Sequence, residues 1–83
     1  MNGQTLKRTR ERLPLPFSKQ RVFATLVGRS RTMLSKYENG RAVVPAEVAV
    51  IATICHVLIE TRPIEAVRDL LVPAFDAAER AAR

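Results

Sequence analysis

Apolar residues recur along this chain at intervals of three and four, the spacing of one face of a helix, and almost nowhere alternate as a half-buried strand would. The pattern predicts a first helix over residues 4–12, with Leu6 turned inward and Leu13 just past its end. Pro14 and Pro16 close it, because neither continues the hydrogen-bond ladder. Ser18 then caps a second helix over about 19–27, on which Val22, Phe23, Leu26 and Val27 form one stripe, and Gly28 stops it. Ser30 caps a third helix that ends near Asn39 and turns Met33, Leu34 and Tyr37 inward. Asn39-Gly40 is a turn signal, and the loop Arg41–Val44 leads to Pro45 in the first turn of a fourth helix reaching about Leu58. Val48, Ile51, Ala52, Ile54, Cys55 and Leu58 cover most of that helix, which marks it as central. Thr61 or Arg62 caps a fifth helix with Pro63 in its first turn and Ile64, Val67, Leu70 and Leu71 as its apolar face. Pro73 is expected to interrupt this helix, leaving the Ala-rich segment to Arg83 as a last helical turn or tail. The reading is an all-α chain of one domain, a five-helix bundle with a short C-terminal helical extension.

Charge divides this bundle in two. Residues 1–41 hold ten Lys and Arg against two acids, Glu11 and Glu38, whereas residues 42–83 hold four Arg against six acids. A basic half joined to a mildly acidic one suits a polyanion-binding face with a separate body or interface. At 83 residues the chain buries only roughly 60–65% of its unfolded surface, which favours pairing with a second copy. The lone Cys55 excludes an internal disulfide and fits a reducing cytoplasm. No apolar run approaches the ~20 residues of a membrane span, so a membrane role is not expected.

The thirteen residues from Gly28 to Gly40 carry the chemistry. Two helices crossing steeply need a small residue where they touch, a residue tolerant of positive φ in the turn, and a bulky apolar residue to fill the angle. Ala24, Gly28 and Leu34 supply these at spacings of four and six. The third helix then presents Arg31, Thr32, Ser35 and Lys36 outward with no acid among them, as a helix entering a DNA groove requires.

Gln20, Ala24, Gly28, Leu34 and the run Ser35-Lys36-Tyr37-Glu38-Asn39-Gly40 resemble the phage repressor and Cro family of XRE-type helix-turn-helix regulators. The likeness covers about Leu6 to Ile59, within a DNA-binding core of residues 4–59, and implies the five-helix, lambda-repressor-like domain of that family. It implies base contacts from Arg31, Thr32 and Lys36, with Ser35 on the same face. Arg suits the two guanine acceptors, and Thr suits a base edge or a thymine methyl. It also implies that Gln20 holds a phosphate and braces the first reading side chain, while Lys19, Ser18, Arg29, Asn39 and Arg41 grip the backbone. Two departures stand out: the loop before the second helix is one residue longer than the family's pattern, and a further residue lies between Gly40 and Pro45.

Other residues carry plainer expectations. Tyr37 shares the stripe of Met33 and Leu34 and belongs to the core. Glu38 is expected to act as a structural hydrogen-bond or ion-pair partner. Arg8, Arg10 and Arg12 either reach phosphates or keep the first helix soluble. Cys55 and His56 lack further Cys or His ligands, so neither a metal site nor a nucleophile is expected.

The functional expectation is a sequence-specific double-stranded DNA-binding regulator, a repressor that binds an inverted repeat as a homodimer. Residues 60–83 would supply the dimer surface through Ile64, Val67, Leu71 and Phe75. The alternative is an antitoxin-type DNA-binding protein that also neutralises a toxin; a toxin or a polymerase is the protein partner open to such a module. No cofactor is expected, and no nucleophile, base and orienting group assemble into an enzyme site.

Overall fold

In the computed structural model, which describes residues 1–82, the chain forms α1 (Gly3–Glu11), α2 (Gln20–Leu26), α3 (Arg31–Glu38), α4 (Ala46–Thr61) and α5 (Ile64–Ala81). No strand occurs among the described residues, so the all-α, five-helix reading holds. Asn2 caps α1 by accepting a 2.8 Å bond from the Thr5 N–H. The segment after α1 buries Leu13 and Phe17 while Leu15 stays exposed, and its Leu15–Pro16 bond is cis.

The core gathers inward-facing residues from every element. Leu6 of α1, Phe23 and Ala24 of α2, Leu34 and Tyr37 of α3, Val48, Ala52 and Cys55 of α4, and Val67 and Leu71 of α5 are all buried. Phe17 meets Phe75 edge to face, with ring centroids 6.2 Å apart, so the long loop is tied to the last helix. α3 packs on α1 and α2, and α4 packs on α1 and α5. Two helices thus support the basic face from behind.

Several boundaries differ from the sequence reading. α2 begins at Gln20 with Lys19 at the N-cap and no side-chain cap, so Ser18 does not cap it. α4 runs three residues past Leu58, and Thr61 donates to the Val57 carbonyl inside that helix instead of capping the next. Pro45 and Pro63 stand at the N-caps of α4 and α5, one position ahead of the first turn. Pro73 lies inside α5 without ending it. Its ring and Asp69, whose carbonyl loses its usual donor, both lie on the exposed side, where water can take up the freed group.

α4 also departs from the expected central role. Val48, Ala52 and Cys55 are buried and Ile51 and Leu58 partly so, but Ile54 is 55% exposed. Its apolar circumference is wider than the monomer covers.

Candidate nucleic-acid interface

The helix-turn-helix unit is fixed by two identical closures. Gly28 has φ +70°, its N–H donates to the Thr25 carbonyl, and the Arg29 N–H reaches back to the Ala24 carbonyl at 2.9 Å. Gly40 has φ +72°, its N–H donates to Tyr37, and the Arg41 N–H reaches back to Lys36 at 2.8 Å. Both are Schellman caps, in which a left-handed residue lets the chain fold over the last helical carbonyls. Between them the Ser30 hydroxyl accepts from the Met33 N–H at 3.2 Å and starts α3.

Leu34 and Tyr37 turn α3's inner side into the core, and Met33 is partly buried against it. Arg31, Thr32 and Lys36 are exposed on the outer side, and Ser35 is half-buried. These four, with Gln20 and Arg41, line one open cleft of about 350 Å³. Arg41 belongs there because the second Schellman cap carries it back over Lys36. The lining of the cleft holds three cationic side chains and no acid; Glu38, the one acid of α3, is buried beneath it.

Glu38 instead organises the support beneath the cleft. Its Oε2 accepts from Arg10 Nε at 2.6 Å, and its Oε1 accepts from Arg10 Nη2 at 3.1 Å and from Gln20 Nε2 at 3.0 Å. The other Arg10 nitrogen, Nη1, donates to the Ser18 carbonyl. One buried guanidinium therefore joins α1, the long loop and α3, and Glu38 extends the join to α2. Glu38 is the structural partner the sequence suggested, whereas Arg10 is neither a phosphate ligand nor a solubilising charge. Its signal was the spacing Leu6, Arg10, Leu13, which places the arginine on α1's inward stripe.

The expected backbone-gripping residues separate in space. Gln20 and Arg41 line the cleft, and Lys19 is exposed beside Gln20. Asn39 is exposed and donates to the Ser35 hydroxyl at 3.3 Å. Ser18 offers its carbonyl to Arg10. Arg29 donates to the Gly28 carbonyl and reaches Glu47 at 3.4 Å, away from the cleft. Among the expected dimer residues, Val67 and Leu71 lie in the monomer's own core and Phe75 packs partly against it on Phe17. Only Ile64 is exposed, at 47%, so this set does not form a surface.

The remaining reactive groups are quiet. Burial pushes the Cys55 thiol up to about 11, which keeps it neutral and unreactive near neutral pH. Arg12 lies 2.8 Å from Glu60 and holds that carboxyl below its usual range, but both side chains are about half-exposed and the pair adds little. Among the described residues no three His, Cys, Asp or Glu side chains gather as a metal site. No helix among them is long and apolar enough to cross a membrane.

A protein-family model described as a helix-turn-helix domain matches residues 3–63, which takes in α1 through α4 and the whole cleft. No curated protein and no solved structure matches the chain.

Proposed function

The chain belongs to the helix-turn-helix domain family, and on that premise we propose that it is a sequence-specific double-stranded DNA-binding repressor acting as a homodimer. The observation that carries this reading is the cleft on α3: Arg31, Thr32, Ser35 and Lys36 on one outward face, with Gln20 and Arg41 at its borders and no acid among them. A helix so exposed fits a major groove about 12 Å wide.

Roles follow from reach and partners. Arg31 and Thr32, in the first turn of α3, read base edges, and Lys36 reads one turn further on. Ser35, held by Asn39, contributes a short contact. Gln20 is tethered through its Nε2 to Glu38 and lines the cleft with Arg31, which suits it to hold a phosphate and brace Arg31. Lys19, Arg41 and the Asn39 turn supply backbone contacts that position the helix without reading sequence.

Two chains on an inverted repeat fit the size of the domain. The bundle measures 33 Å in its longest direction, close to the ~34 Å between half-sites one helical turn apart. Such a pair occludes the DNA it covers, so repression needs no further part.

Selection of bound sequences from a random duplex pool tests the reading, with an enriched inverted repeat as the expected result. On the selected site, Arg31→Ala is expected to weaken binding by ~1–3 kcal/mol and relax preference at one base pair. Equal weakening on every duplex would remove Arg31 from the base-reading set. Lys19→Ala is expected to weaken selected and random duplexes alike and to make the slope of log affinity against log salt shallower by about one.

A further inference from the structure

α4 and α5 expose more large apolar side chains than solvent alone explains. Val50, Ile54 and Val57 are 57%, 55% and 51% exposed, and their spacing of four and three puts them on one ridge of α4. Ala46, Thr53 and Thr61 continue that ridge without adding a charge. Beside it lies a depression made of two hollows, about 220 and 490 Å³, which share Leu26 and Ile51 and so run into each other. The smaller has Cys55 and Leu71 in its floor and Ile54 and Ala74 on its walls, with almost no polar lining. The larger continues past Ala78 and Ala81 of α5 and Ala82 at its C-cap, with Thr25 and Arg29 also on its lining. A convex apolar ridge therefore borders a concave groove that is mostly apolar.

We infer that this face takes a second copy of the same chain, with α4 of each protomer lying antiparallel to α4 of its partner and each ridge seated in the other's groove. Ridge and groove on one surface are self-complementary under a two-fold rotation, the condition an isologous interface must meet. Charge agrees with the antiparallel sense. Glu47, which Arg29 of its own chain approaches at 3.4 Å, stands at the start of α4 and Arg62 at its end, both exposed, so pairing centred on Ile54 brings Glu47 of one protomer beside Arg62 of the other. The opposed helix dipoles favour the same arrangement. No residue of this face lines the α3 cleft, so the two surfaces draw on different side chains. The inference rests on the two-chain reading above and moves its surface from the inner side of α5 to the ridge of α4.

Sedimentation velocity of the full chain over a concentration series, without DNA, tests it. The wild type is expected to sediment as a dimer. Ile54→Glu should weaken self-association by roughly 10- to 100-fold while leaving the helical circular-dichroism spectrum unchanged, since Ile54 is already half-exposed in the monomer. Glu47→Arg alone should weaken association several-fold, and Glu47→Arg with Arg62→Glu should restore it. A monomer at every concentration, or a dimer indifferent to both Ile54→Glu and the charge exchange, overturns the proposal. The DNA reading is scored separately: an Ile54→Glu monomer is expected to retain binding to a single half-site, whereas loss of sequence preference there counts against the cleft instead.

Discussion

Glu38→Ala is expected to lower the unfolding free energy by about 3–5 kcal/mol, because it leaves the Arg10 guanidinium buried without its counter-charge. The Arg10 side chain is only 9% exposed and that of Glu38 2%, so water cannot replace the lost partner without opening the bundle. A domain of this length holds roughly 4–12 kcal/mol in total, and the single change consumes a large part of it. Urea unfolding followed by circular dichroism measures the loss directly. The double replacement Arg10→Met with Glu38→Leu is expected to recover most of it, since an apolar pair of similar volume needs no compensation. DNA affinity should not recover in parallel. Gln20 leans on Glu38 Oε1, so the doubly apolar bundle is stable but presents an unbraced Gln20. Full recovery of both stability and site affinity would show that Gln20 needs no brace.

Gly3→Ala is the second large effect, and its sign separates two accounts of α1. Helix propensity alone favours Ala over Gly by about 1 kcal/mol. Packing says the reverse: a Cβ at position 3 would lie 2.0 Å from the Tyr37 carbonyl oxygen and 2.9 Å from that of Glu38, both backbone atoms of α3's last turn. Neither can rotate away as a side chain would. α1 must then shift, and with it the reach of Arg10 to Glu38, so the overpacking cost falls near the upper end, about 3 kcal/mol, and exceeds the propensity gain. A lowered denaturation midpoint at unchanged slope is the expected measurement, with exposed Gln4→Ala as the neutral control. A raised midpoint would mean that α1 does not press on α3 this closely.

Local chemistry was legible in the sequence, and burial was legible only as a pattern. Gly28, Ser30 and Asn39-Gly40 marked the ends of the helix-turn-helix unit because positive φ and capping are decided within a few residues. Leu34 and Tyr37 followed from spacing. Pro73 was misleading, since whether a proline ends a helix depends on what surrounds the carbonyl it frees, and on α5 that side faces water. Ser18 is the residue type that caps, but Lys19 stands at the N-cap of α2, where a cap acts. Val67 and Leu71 show the limit of amphipathic reasoning: periodicity says that a face is covered, not whether the cover is the same chain or another. Arg10 was hidden for a related reason, because a charge on an inward stripe reads as solvated until its partner 28 residues away is in view.

The paired glycine caps have a further consequence for how this scaffold tolerates change. α3 spans eight residues, about 12 Å of axis; the Ser30 cap starts it two residues after left-handed Gly28 has closed α2, and left-handed Gly40 closes it. Its length is thus set independently of the side chains it displays. Positions 31, 32, 35 and 36 can be exchanged while the stops stay where they are, which makes the segment a cassette: new preferences can be written into it, whereas inserting a single residue rotates the whole lettered face by about 100° and takes it out of register with the groove.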